Sequence, residues 1–151
     1  YGKSNLDLNN FNKFIAPLKR YNEISKNNKI KLLIETNLEI KYLIPMFKKI
    51  NSNNFRMLYD TGNRIINKNN NYDDIIKLSH FIGHIHIKDK TINNKNVIIG
   101  NGDVNFDHVF KNLKKINYNK NFTFETNKGD NPLKTSINNL KFIKKMINKY
   151  K

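Results

Sequence analysis

His84-Ile85-His86-Ile87-Lys88-Asp89 decides how this sequence is read. Polar and apolar residues alternate with period two, the pattern of a β-strand with two unlike faces. The polar face carries two imidazoles and an ammonium, where an ordinary solvent face carries Ser and Thr, and the stretch ends on a carboxylate. Two explanations fit the stretch alone. It is a charged edge strand that discourages pairing, or it is the end of a strand entering a site. The flanking chain has to separate them.

Upstream, two short apolar runs also end on carboxylates. They are Ile30-Lys31-Leu32-Leu33-Ile34-Glu35-Thr36 and Phe55-Arg56-Met57-Leu58-Tyr59-Asp60. Downstream, Asn121-Phe122-Thr123-Phe124-Glu125-Thr126 does the same. Short runs of this kind suit strands buried on both faces. Between them lie helical periodicities. Phe11 to Asn27 is one, with Pro17 as a kink or a late start; Leu38 to Ile50 is another, with Pro45 inside it and its early part either helix or loop. Asn67 to Asn71 is expected as a polar loop. A third helix is expected from Asp73 and Asp74, acting as caps, through Ile75, Ile76, Leu78 and Phe81. Thr91 to Asn105 reads as a long loop containing Gly100-Asn101-Gly102-Asp103. Asn105 or Asp107 starts a helix through Val109, Phe110, Leu113 and Ile116, and Pro132 opens the last one. The order is a helix followed by four strand–helix units. That implies an α/β fold with parallel strands and crossover helices. The unit length matches the repeat of an eight-unit barrel.

Composition narrows the chemistry. The 151 residues suffice for one domain with a real core. There is no cysteine, so disulfides, thiolate metal sites and thiol nucleophiles are excluded. This fits a reducing compartment, and a cytoplasmic location is expected. No apolar run reaches membrane-spanning length. The formal net charge of +16 raises the question of nucleic acid. However, Lys outnumbers Arg 25 to 3, and Asn and Ile are in excess too. All three favoured residues have A/T-rich codons, whereas a phosphate-binding surface favours Arg. Composition therefore accounts for the charge without a nucleic-acid partner.

Glu35, Asp60, His86 and Glu125 stand at or near the C-terminal ends of the four expected strands. In parallel α/β folds those ends share one face, where chemistry is carried. Each residue has a structural explanation on its own, as a helix cap, an Asx-turn or a hydrogen-bonded core histidine. Four in succession point further, because caps favour Ser, Thr, Asp and Asn over Glu and His. Three carboxylates and an imidazole suit a divalent ion such as Mn²⁺, Mg²⁺ or Co²⁺, and Zn²⁺ also fits.

The sequence resembles the C-terminal half of a sugar-phosphate isomerase/epimerase of the xylose-isomerase-like TIM barrel superfamily, a (β/α)8 fold. That superfamily also contains ketose 3-epimerases, inosose dehydratases and endonuclease IV. The matching residues are Leu33-Ile34-Glu35-Thr36, Tyr59-Asp60-Thr61-Gly62-Asn63, Gly83 through Asp89, Gly100 through Phe106, and Phe124-Glu125-Thr126. The resemblance implies a partial barrel, with residues 1–151 as its C-terminal half and a single domain. It implies that Glu35, Asp60, His86 and Glu125 are the metal ligands and that Glu35 and Glu125 double as the acid/base pair. The implied reaction moves a proton at a carbon next to a carbonyl, through a metal-stabilised enediolate of a sugar or sugar phosphate. Asn63, His84 and Lys88 are the candidate substrate contacts. Lys88 also reads as an ordinary solvated lysine, and His84 as a packed one. Asp89 reads as a loop anchor.

This sequence departs from the ketose 3-epimerases at three positions, with Lys41, Asn63 and Ile92 where that subgroup often has Glu, His and Arg. The histidines needed for the endonuclease IV metal cluster are also missing between Asp89 and Gly100. The alternatives to an isomerase or epimerase are an inosose-dehydratase-like lyase, an endonuclease-IV-like nuclease, and an inactive barrel remnant acting as a basic binding protein. The partners expected are a small carbohydrate and either a missing N-terminal half of the barrel or a second copy of the chain. No membrane partner is expected. A chain opening at Tyr1 in mid-pattern is expected to be a truncation that binds metal weakly and turns over poorly.

Overall fold

A computed structural model describes residues 11–66 and 72–150. The stretches 6–10 and 67–71 lie outside the described residues. The chain runs α1 (Phe11–Asn27), β1 (Leu32–Glu35), α2 (Ile40–Ile50), β2 (Phe55–Asp60), a 3-10 turn (Asn63–Ile66) and α3 (Asp74–Lys77). It continues with β3 (Ile82–Ile87), β4 (Asp89–Lys90), β5 (Asn96–Val97), α4 (Phe106–Lys115), β6 (Phe122–Phe124) and α5 (Pro132–Lys149). β1, β2, β3 and β6 form one parallel sheet in that order, and the small β4–β5 pair is antiparallel. This is the expected α/β arrangement of four parallel strands alternating with helices. Among the described residues β1 and β6 each pair on one side only.

One face of the sheet makes the core. Phe55, Met57 and Tyr59 of β2 and Ile82, Ile85 and Ile87 of β3 are buried there. They pack under Leu43, Met46 and Phe47 of α2 and Val109, Phe110 and Leu113 of α4. Each such side chain contributes roughly 1.5–3 kcal/mol by leaving water. Phe47 stacks on Phe81 at 4.9 Å and tilts against Phe55 at 5.5 Å. The intervening positions Leu33, Glu35, Arg56, Leu58, Asp60, His84, His86 and Thr123 alternate onto the opposite face, as period two requires.

A bulge sets which face the histidines take. Met57 pairs with Ile82, but the next residue, Leu58, pairs with His84. Gly83 is the extra residue, and it reverses the parity of everything after it. Ile82 and then Ile85 and Ile87 therefore share the core face, while His84 and His86 turn to the other. Only glycine fits at the bulge. A Cβ there would lie 2.5 Å from Arg56 Cβ and 2.8 Å from Leu33 Cδ2.

The last two helices start where the sequence implies, and the others depart from it in places. Asn105 caps α4 by accepting from His108 N–H, and Asn131 caps α5 by accepting from Lys134 N–H, with Pro132 in the first turn. Pro17 and Pro45 lie within uninterrupted α1 and α2, where the sequence implies a kink, a late start or an early loop. The helix expected from Asp73 through Phe81 stops at Lys77, and neither aspartate caps it. Asp74 is instead buried, accepting from Tyr59 Oη at 2.7 Å and pairing with Arg64 at 2.6 Å. A buried guanidinium needs a carboxylate partner more than the helix needs a cap. The expected loop over residues 91–105 contains β5, which folds back to pair with β4 just before it.

Candidate metal centre

The register places the polar residues in a rising series across the sheet. Glu35 lies level with Leu58, Asp60 lies level with His86, and Glu125 follows Phe124, the partner of Ile87. The two glutamates, one from each outer strand, thus reach toward the Asp60–His86 level from below and above. Glu35, His86 and Glu125 each offer a ligand atom, and these atoms all lie within 4.8 Å of one another. His86 Nδ1 is 2.9 Å from Glu125 Oε2.

Asp60 divides its two oxygens between structure and site. Its Oδ1 accepts the Asn63 N–H at 2.6 Å, closing the turn after β2. Its Oδ2 is buried and has no hydrogen-bond partner. Lys88 Nζ stands 3.8 Å away, beyond hydrogen-bonding distance. Burial pushes the Asp60 carboxyl up to about 6, against the Asn63 N–H and the Lys88 charge, which oppose the shift. An orphaned, desolvated carboxylate oxygen beside three clustered donors fits a divalent cation. The donor set of three carboxylates and one imidazole fits Mn²⁺, Mg²⁺ or Co²⁺, and Zn²⁺ as well.

Neighbouring groups orient these residues. Asn63 Nδ2 donates to Glu35 Oε1 at 2.6 Å, so Asn63 holds Asp60 through its backbone and Glu35 through its side chain. Expected as a substrate contact, it is committed to two carboxylates. His84 Nε2 lies 2.8 Å from Thr123 Oγ1, and its ring meets His86 edge-on at 5.7 Å. Burial and then the His86 charge hold the His84 imidazole below its usual value, which favours the neutral ring. Lys88 is not a solvated lysine. It is 7% exposed and reaches Glu125 Oε1 at 2.5 Å. Burial works against its charge, but the Glu125 hydrogen bond and the Asp60 carboxylate outweigh it, so its ammonium stays above its usual value. Glu125 answers in kind. Burial pushes it up, and the hydrogen bonds from Lys88 and His86 bring it below the ordinary carboxylate value.

Two supporting arrangements escape a sequence reading. Thr61 Oγ1 donates to Lys88 O at 2.7 Å and accepts from Lys88 N–H at 2.9 Å, pinning the backbone of that lysine. Its place between Asp60 and Gly62 was the only hint. Arg64 and Asp74 form their buried pair beside Tyr59, and no local spacing announces it. Asp89 anchors the loop after β3, as expected. Its carboxylate accepts the N–H groups of Gly100, Gly102 and Val104 at 2.8, 3.0 and 3.3 Å. A Cβ on Gly102 would lie 2.2 Å from Asp89 Oδ1, so the close approach requires glycine. A separate cleft of about 390 Å³, lined by Arg56, His80 and Asn53 among others, opens at the other end of the sheet. It lacks carboxylates, and the N-terminal strand ends of such folds carry stability rather than chemistry.

The profile of the xylose isomerase-like TIM barrel family matches residues 4–146. The chain belongs to the xylose isomerase-like TIM barrel family. Solved structures of this family agree in fold. An L-ribulose 3-epimerase superposes with a TM-score of 0.81 at 19% identity, over 93% of this chain and 55% of that one. A xylose isomerase domain protein from Planctomyces limnophilus gives 0.79 at 19% identity, over 99% and 55%. A D-allulose 3-epimerase from Methylomonas sp. in complex with D-allulose gives 0.77 at 20% identity, over 96% and 58%. In sequence, the uncharacterized protein MJ1614 of Methanocaldococcus jannaschii is 36% identical over 94 residues, 62% of this chain and 36% of that protein. The chain thus spans little more than half the length of the family structures, and its four strands form part of the family barrel. No helix among the described residues is long and apolar enough to cross a membrane.

Proposed function

We propose that this family member is a divalent-metal-dependent isomerase or epimerase of a sugar or sugar phosphate, with Glu35, Asp60, His86 and Glu125 as metal ligands. Residues 1–151 would form the C-terminal half of the barrel. The observation that carries the reading is the cluster of Glu35, His86 and Glu125 at the C-terminal ends of parallel strands, with Asp60 level with His86 on the neighbouring strand and its Oδ2 unpartnered. The similar structures bearing epimerase names support the substrate class.

A bound divalent ion would supply Lewis acidity toward neighbouring carbonyl and hydroxyl oxygens of the substrate. The chain's own residues supply the rest. Glu35 and Glu125 come from the two outer strands, on either side of Asp60 and His86. Two carboxylates so placed take a proton from one side of a carbon acid and return it from the other, which inverts the centre. Asn63 fixes the rotamer of Glu35 through its side-chain amide. In the metal-free protein Lys88 holds Glu125 ionised, the form in which a carboxylate accepts a metal or a proton.

Solvent exchange tests this directly. Incubating the protein with Mn²⁺ and a panel of ketoses and ketose phosphates in D₂O should place deuterium at the carbon next to the carbonyl. Exchange accumulates over hours, so slow turnover still registers by NMR. Glu35→Gln and Glu125→Gln should each abolish it. Absence of exchange across the whole panel, in protein shown to hold metal, would rule out this chemistry.

A further inference from the structure

Lys88 occupies an unusual position for a cation. Its ammonium sits among the very carboxylates offered to a metal, 2.5 Å from Glu125 Oε1 and 3.8 Å from the otherwise unpartnered Asp60 Oδ2. Its backbone is clamped on both sides by Thr61 Oγ1. Its stem is walled by Gly62, where an added Cβ would lie 3.0 Å from Lys88 Cγ. The side chain therefore has little freedom to leave for solvent.

We propose that Lys88 is a built-in counter-cation of the metal centre, which neutralises Asp60 and Glu125 in the metal-free protein and is displaced from them when a divalent ion binds. The inference rests on the metal-centre reading above and goes beyond it, because it assigns Lys88 to metal exchange rather than to substrate.

The charges support it. Three carboxylates face the Lys88 ammonium, with the Lys90 ammonium held off on Asn94, so the cluster keeps an excess of negative charge that a divalent ion offsets. An ammonium packed against Glu125 and Asp60 strongly repels a divalent ion bound to the same carboxylates. Binding a divalent ion therefore breaks the Lys88–Glu125 hydrogen bond and moves the ammonium within a confined site. Lys88 thereby stabilises the empty centre and weakens its hold on metal.

The test compares wild-type protein with Lys88→Met, which keeps the stem and removes the charge. Titration with Mn²⁺ by calorimetry should show the variant binding more tightly, on the order of tenfold or more. Equal or weaker binding by a folded variant would overturn the proposal and leave the metal reading intact. Failure of both proteins to bind Mn²⁺ would remove the metal reading, and this inference with it. A second measurement needs no folded variant. In wild-type protein with ¹³Cε-labelled lysines, one buried lysine resonance should move on adding Mg²⁺ or Zn²⁺, with a nuclear contact to Gly62 identifying it as Lys88. A Lys88 resonance that stays fixed while the metal binds would contradict displacement.

Discussion

Replacing Asp60 by Asn separates what the site costs the fold from what the site does. In the wild-type protein Asp60 Oδ2 is buried without a hydrogen bond, and burial raises its carboxyl from 3.8 to about 6. The folded state then binds a proton more tightly than the unfolded state does. The metal-free protein must therefore lose stability as pH rises from 3.8 through about 6, and stay at the lower level above that. The gap corresponds to roughly 3 kcal/mol. Asn removes the charge and keeps an oxygen for the Asn63 N–H, but its NH₂ faces the Lys88 ammonium and costs about 1–2 kcal/mol. The net expectation for Asp60→Asn in EDTA at pH 8 is a gain of about 1–2 kcal/mol, which falls to zero near pH 5 and becomes a deficit of about 1 kcal/mol at pH 4. Excess Mn²⁺ should reverse the order, since only the wild type keeps its full ligand set, and ligand at a hundredfold over Kd stabilises by about 2.7 kcal/mol. Urea unfolding at the two pH values, with EDTA or Mn²⁺, reads all four combinations. An Asp60→Asn protein that is less stable than wild type in EDTA at pH 8 would refute the reasoning, because it would mean that the carboxylate has a partner worth more than its desolvation.

Gly83→Ala should destabilise the protein by about 2–3 kcal/mol, seen as a lower urea midpoint, because the new methyl meets Arg56 Cβ and Leu33 Cδ2. Asp89→Asn weakens the acceptor for three loop N–H groups and should cost about 1–3 kcal/mol, with faster hydrogen exchange at Gly100, Gly102 and Val104. Arg64→Met takes the guanidinium from buried Asp74 and should cost about 3–5 kcal/mol in chemical unfolding. Glu125→Gln should lower any solvent-exchange activity by about a thousandfold or more, since it removes a base and a ligand together.

The elements that follow from local pattern were legible in the sequence. The helix bounds at Phe11, Asn27 and Ile50, the start of α4 at Asn105 and of α5 at Pro132, and the four strands all follow from periodicity and end signals. The convergence of Glu35, His86 and Glu125 was legible because parallel strands put their ends on one face. What escaped depends on residues distant in sequence. Asp74 looked like a cap because nothing local reveals that Tyr59 and Arg64 would claim it. Lys88 looked solvated because a lysine's burial depends on partners 28 and 37 residues away, here Asp60 and Glu125. The bulge at Gly83 hides because an isolated Gly before a strand has many explanations. Its effect, turning both histidines to the site face, appears only in the pairing with β2.

The proposed chemistry needs one metal centre built from four strand ends. Crystals soaked in Mn²⁺, with diffraction recorded at a wavelength where manganese scatters anomalously, address it most directly. The account predicts a single anomalous peak with oxygen from Glu35, Asp60 and Glu125 and nitrogen from His86 at roughly 2.0–2.3 Å. An absent peak, or bound manganese only at sites remote from Asp60 Oδ2, would contradict it.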